Sequence, residues 1–369
     1  MRIFLLVVLL FTMLGASAGS LPLVTISDPA GDDFGAGKLI YPQRNDFQVG
    51  DLDLLQLQIS RDGQGFWFEA TFKNAIRDPD NVHGTVGSDS LANFARKRFY
   101  QFNVDIYIDL DRVEGSGNTF TLPGRQVRIA PDFGWERAVI LTPRPELMRQ
   151  QLISVLAEQY PDTTNAAIEA SVDQSIYFPT RIQVRNKTIA FFVPASYFAG
   201  SDGANWAATA LVTGALTTIP ADFSLFLSTR KPLDTLQLGV MQPALGHPRD
   251  TFGYSGRQPG PVVDVLGASA ELQVQQLGEK EDLTGVSWGS QEGIEKPATP
   301  SAASSVMPIE ELLQPETAAR HVEAGSAQTQ SQADASVARR LEDLQQLLDK
   351  KLISEEEYKQ QRQRILNAL

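Results

Sequence analysis

The chain has 369 residues, a net charge of −12 and no cysteine. A pI near 4.8 argues against nucleic acid as a partner, because phosphate recognition needs a basic surface. Disulfides are excluded, so stability must come from burial or a bound ion, and the 28 glycines and 21 prolines favour a turn-rich β architecture.

Met1-Arg2, the apolar run at 3–14 and the small residues Ala16-Ser17-Ala18 predict a secretory signal peptide over residues 1–18. The run is short for a membrane span. The expected location is therefore periplasmic or secreted. Immediately after it, DPAGDDFGAG (28–37) sets three carboxylates among glycines. Hard carboxylate oxygens in a bendable loop are calcium chemistry. The same composition also fits a solvated turn whose Asp side chains cap backbone groups. Asp28, Asp32, Asp33 and Asp53 are the candidate calcium ligands.

Strand signals follow in order. In GFWFEATF, Phe66, Phe68, Ala70 and Phe72 alternate with Trp67, Glu69 and Thr71, the period-two pattern of a half-buried strand. In RFYQFNVDIYIDLD, Val104, Ile106, Ile108 and Leu110 face one way, and Asp105, Tyr107, Asp109 and Asp111 the other. GRQVRIA (124–130) and WERAVILT (135–142), separated by PDFG, read as a hairpin. From 144 to 176 the period becomes helical, with Leu147, Leu152, Val155 and Leu156 on one face. Strands resume at 180–186, 188–194, 206–214 and 222–229.

These elements predict an antiparallel β-sandwich over residues 22–280, carrying a helical insertion at about 144–176. Residues 285–337 are rich in Ala, Ser, Gln, Thr and Pro and read as a linker, interrupted by a helical patch at 309–313. Residues 338–369 read as a helical hairpin. Leu341, Leu344, Leu347 and Leu348 share a face, and Ser354 with Glu357 forms a capping box. Two short amphipathic helices cannot bury a core alone, so residues 339–369 are expected to self-associate.

DPAGDDFGAG, Tyr41-Pro42, VGDLDLLQLQI (49–59), VDIYIDLD (104–111), LPGRQVRIAPDFGWERAVIL (122–141) and VVDVLGA (262–268) resemble, in order, the C-terminal binding module of glucodextranase. The resemblance implies a sandwich of the carbohydrate-binding-module type with bound calcium, serving as an accessory domain. Ile353–Tyr358 resembles the signature turn of the short C-terminal helical (SHOCT-type) domain, which implies oligomerisation. The insertion at 144–176 would then be an addition able to cover a sugar-binding surface.

Sugars bind exposed aromatic rings flanked by polar groups. Trp67 alternates outward from an apolar strand face and Trp135 follows a turn glycine, so these two are the candidate platforms. A glycosidase would need two carboxylates about 5–9.5 Å apart beside a cleft. Asp109 and Asp111 share a strand face, where calcium ligation or simple solvation is the commoner role. The reading is an exported, non-catalytic protein that recognises carbohydrate or a cell-envelope component. The alternative is a structural or partner-binding envelope protein that binds no sugar.

Overall fold

Two stretches of period-two apolar residues, each facing a common core, build the molecule. The computed structural model describes residues 22–82, 95–216, 236–289 and 307–314, together with 85–86, 89–90 and 233. The expected signal peptide, the strand at 222–229, most of the linker and the C-terminal helices lie outside the described residues.

The strands in chain order are β1 (Pro22–Ser27), β2 (Leu39–Ile40), β3 (Leu54–Arg61), β4 (Gly65–Phe72), β5 (Thr85–Val86), β6 (Asp89–Ser90), β7 (Phe102–Asp109) and β8 (Arg137–Leu141). They continue with β9 (Ile176–Tyr177), β10 (Ile182–Arg185), β11 (Thr188–Pro194), β12 (Ala207–Gly214), β13 (Ala244–Leu245), β14 (Gly253–Tyr254), β15 (Val262–Val265) and β16 (Val286–Ser287). The helices are α1 (Pro145–Gln159), α2 (Asn165–Ser175), α3 (Ala270–Glu279) and α4 (Ile309–Leu313).

One sheet runs β1-β3-β4-β11-β10, and the other β15-β12-β7-β8-β9 with β16 also on β12. Phe66, Phe68, Ala70 and Phe72 from the first sheet meet Val104, Ile106, Ile108 and Val212 from the second in one apolar core. This is the expected β-sandwich. The β8–β9 pair is parallel. A parallel pair needs a crossover of a dozen or more residues, and α1 and α2 supply it. The insertion is thus an integral connection within the second sheet.

The face of β7 that carries Asp105, Tyr107 and Asp109, read as a place for calcium ligation or simple solvation, is covered. Tyr107 of β7, Ala138 and Ile140 of β8 and Leu211 of β12 form a second core. Met148, Leu152, Ile153 and Leu156 of α1, Ile168 and Val172 of α2, and Leu122, Ile129 and Trp135 of the loops fill its other side. Leu147, read as part of the apolar face of α1, is exposed. The helix turns Met148 inward instead.

The predicted hairpin at 124–142 does not form. Only Arg137–Leu141 is a strand, Pro131–Phe133 is a 3₁₀ turn, and 118–130 crosses the sheet as a loop held by isolated bridges, Phe120 to Arg128 and Ile129 to Leu283. α4 is also more than a patch in a linker. Ile309, Leu312 and Leu313 are buried in the second core, and the Tyr160 hydroxyl donates to the carbonyls of Glu311 and Leu312 at 3.1 and 3.3 Å.

A wholly buried ion pair fastens the covering loop to the sheet. Arg125 Nε donates to Asp105 Oδ2 at 2.5 Å and Nη2 to Oδ1 at 3.2 Å. Its Nη1 donates to the carbonyls of Pro123 and Leu238 at 3.0 and 2.9 Å, and both side chains of the pair are 0% exposed. Removing one partner strands the other charge in the core, which costs about 3–5 kcal/mol. Arg125→Met is therefore expected to lower the unfolding free energy by about that much in urea denaturation. The double variant Arg125→Met/Asp105→Leu should recover most of the loss, since a buried pair replaced on both sides is often neutral.

Candidate metal centre

The aspartate loop leaves β1 at Asp28 and is folded against β15. Gly35 makes this possible. Its φ is +55° and an added Cβ would stand 2.6 Å from the Val262 carbonyl oxygen, so only glycine fits there without displacement. The Gly35 amide donates to the Val263 carbonyl at 2.8 Å. Gln273 of α3 completes the attachment. Its amide nitrogen donates to the Asp32 carbonyl at 2.5 Å and its oxygen accepts from the Val265 amide at 2.6 Å.

This docking brings Asp264 of β15 to the loop. Asp28, Asp32 and Asp264 each present an oxygen within 4.8 Å of the others. Asp33 and Asp53, the other two residues expected from the sequence, lie beside this triad and outside it. One oxygen of each side chain except that of Asp32 is anchored. Asp28 Oδ1 accepts from the Gly267 amide at 2.5 Å, and Asp264 Oδ2 from Leu54 at 2.7 Å. Asp33 Oδ2 accepts from Gly50 at 2.8 Å and from the Tyr41 hydroxyl. Asp53 Oδ2 accepts from Gly31 at 2.7 Å and from Lys73 Nζ at 2.9 Å.

The other oxygens have no hydrogen-bond partner among the described residues: Asp28 Oδ2, both oxygens of Asp32, and Oδ1 of Asp33, Asp53 and Asp264. Asp33, Asp53 and Asp264 are 0% exposed. Buried charges in proteins are paired or bound to metal, and Lys73 supplies one positive charge against five carboxylates. The triad carries four of these unpartnered oxygens, hard donors of the type that divalent cations such as magnesium and calcium take.

The electrostatics agree. Burial, with repulsion from Asp32 and Asp53, pushes Asp28 up to about 8. Burial pushes Asp32 up to about 6, with Asp53 and Asp33 adding to the rise. Asp33 is raised mainly by burial. Asp264 is raised well above the carboxylate range by burial and by Asp28. Asp264 was missed because VVDV reads as a buried strand. The available signal was the charge itself, an aspartate inside an otherwise apolar run, which needs a partner.

A second acidic group, Asp109, Asp111 and Glu136, differs in kind. Asp109 Oδ1 accepts from the amides of Asp111 and Arg112, Asp111 Oδ1 from Val113, and Glu136 Oε2 from Leu110 at 2.8 Å. Ser116 Oγ donates to Asp111 Oδ2 at 3.0 Å. These carboxylates cap the turn after β7.

The two candidate platforms part company. Trp135 is 0% exposed and its indole N–H donates to the Phe120 carbonyl at 3.0 Å, because the loop that carries it folds over the second sheet. It is a core residue with no face toward solvent. Trp67 lies on the outer face of the first sheet, half-buried. Its N–H donates to Asp62 at 3.0 Å, and the Arg181 guanidinium stacks 4.7 Å from its ring centre.

The family model described as the C-terminal, SLH-like binding module of glucodextranase matches residues 23–283. The chain belongs to this family. No curated protein matches the chain. The stretch matched to the glucodextranase C-terminal module runs from β1 past α3 and takes in both sheets, α1 and α2, and all five clustered aspartates. The family is a binding module rather than a catalytic domain.

The raised carboxyl groups fix a pH dependence for the metal-free protein. A carboxyl whose folded pKa lies above its unfolded value of 3.8 contributes stability in full below about 3.8, lost as the pH rises through the folded value. For Asp32 and Asp28 the loss runs upward from about 3.8 and is complete by about 6 and about 8. With chelator present, the melting temperature is expected to fall from about pH 4 to about pH 8. Asp28→Asn, which cannot ionise, should flatten that fall in scanning calorimetry.

Proposed function

We propose that this is an exported, non-catalytic binding protein whose calcium-stabilised sandwich recognises carbohydrate or a cell-envelope component, and whose C-terminal helices self-associate. Membership of the binding-module family carries the binding part of this reading. The four unpartnered oxygens of Asp28, Asp32 and Asp264 support the calcium part. The signal-like N-terminus supports export. The binding-module family supports the non-catalytic reading over the glycosidase alternative.

A divalent ion would hold the loop after β1 and strand β15 together, so its contribution is to stability and to the shape of that end of the sandwich. Binding to the folded state at a hundredfold excess over the dissociation constant adds about 2.7 kcal/mol, or roughly 5–10 °C in melting temperature for a domain of this size. Calcium should raise the melting point at pH 7.5 by that order, and chelator should reverse it. Asp32→Asn/Asp264→Asn should abolish the response. An unchanged midpoint in the wild type would remove the calcium reading.

Light scattering tests self-association. The comparison is the full chain against a chain ending at residue 314, which keeps α4 in its place on α2. The full chain is expected to show a multiple of the monomer mass and the shorter chain the monomer mass. Equal monomer masses would refute assembly through the tail.

A further inference from the structure

A cleft of about 380 Å³ opens where the helical insertion meets the end of β11, lined by Arg149, Asp173, Ile176, Tyr177, Phe178, Pro194, Ser196 and Tyr197. Its volume lies within the range of about 300–1,000 Å³ typical of small-molecule sites. Three features of its walls describe one class of ligand. Tyr177 and Tyr197 stand 5.2 Å apart, ring centre to ring centre, inclined at 45°, so two partly buried rings meet in the cleft wall. The Tyr197 ring is fixed in place, because its hydroxyl donates to the carbonyls of Ala138 and Ser175 at 2.9 and 2.7 Å and the Arg137 guanidinium lies 5.7 Å from its ring centre. Tyr177, packed against a fixed neighbour, loses little entropy when it stacks on a ligand.

The polar wall comes from the insertion. Arg149 of α1 and Asp173 of α2 form a two-point pair, Nε to Oδ1 and Nη2 to Oδ2, both at 2.6 Å. The pair leaves guanidinium N–H groups and carboxylate lone pairs free to donate and accept. Both side chains are partly exposed, at 33% and 53%. Ser196, which is exposed, also lines the cleft. Flat apolar rings with a mixed donor–acceptor wall suit a pyranose, whose C–H face is apolar and whose rim is hydroxylated. A pure anion or cation would find the paired charges already neutralised.

We infer that this cleft is the glycan-binding site of the module, with Tyr177 stacking on a sugar ring, Tyr197 holding Tyr177 in place, and Arg149 and Asp173 bonding the sugar hydroxyls. The inference rests on the carbohydrate reading above and changes its location. Trp67, the platform expected from the sequence, lies on the outer face of the first sheet and does not line this cleft. The insertion, expected to cover a binding surface, builds one wall of it instead.

The test is affinity electrophoresis of the full chain in gels cast with dextran, soluble starch or peptidoglycan-derived glycan. The variants are Tyr177→Ala, Arg149→Ala/Asp173→Ala and Trp67→Ala. The ion pair is partly exposed and contributes little to stability, so the double variant keeps the fold even if Tyr177→Ala does not. A glycan should retard the wild type, the two cleft variants should bind about tenfold more weakly or worse, and Trp67→Ala should bind as the wild type does. Retardation kept by the folded double variant would overturn the cleft assignment and leave the carbohydrate reading standing. A wild type retarded by none of the glycans would overturn both.

Discussion

Five carboxylates meet at one end of the sandwich, and the fold around them depends on how their charge is held. Asp28, Asp32 and Asp33 follow an edge strand of the first sheet, Asp53 precedes β3 in the same sheet, and Asp264 lies in the second sheet. Chain segments far apart in sequence are thus brought close together, with Asp28, Asp32 and Asp264 near enough to share one ion. Left ionised and unpartnered, these groups would push the two sheets apart. Protons or a cation must compensate them, and the raised values of Asp28, Asp32, Asp33 and Asp264 express that requirement for protons. The neighbouring architecture holds the arrangement tightly: Gly35 against the Val262 carbonyl, Gln273 between the loop and β15, and Ser269 capping α3 through the Leu272 amide.

The second constraint is the burial of both faces of the six-stranded sheet. Every residue of β7 and β12 is buried. On the inner face this follows from apolar alternation. On the outer face polar residues are buried as well, and several have specific partners. Asp105 has Arg125, Tyr107 donates to Asp105 and accepts from the Leu122 amide, and Asn103 donates to Thr213 at 3.1 Å. The covering layer of loop, α1, α2 and α4 is therefore positioned by polar contacts as well as by its apolar side chains. The first sheet is different, since Gln58, Trp67, Glu69 and Thr71 remain half-exposed on its outer face.

This difference explains what the sequence could reveal. The strands around Phe66–Phe72 and Val104–Ile108 were legible because alternation reports a single buried face. The aspartate loop was legible because several carboxylates among glycines form a local pattern. Asp264 was not, because its partners lie more than two hundred residues away and its own surroundings read as apolar strand. The covering of β7 was hidden for a related reason. Asp105, Tyr107 and Asp109 alternate like a solvent face, and only the distant Arg125 reveals that Asp105 is buried. Trp135 followed from the same error, since a glycine-tryptophan turn looks exposed until a second layer is placed over it. The tyrosine cleft has no sequence pattern at all, because α1, α2, β9 and the turn after β11 each supply only one or two of its residues.

The central claim is that the carboxylates between β1 and β15 hold a divalent cation. The most direct measurement is a crystal structure of the protein grown with calcium, with anomalous scattering used to locate the ion. The account predicts one anomalous peak at about 2.3–2.6 Å from oxygens of Asp28, Asp32 and Asp264. Ordered water or empty density between those side chains, in calcium at neutral pH or above, would contradict it.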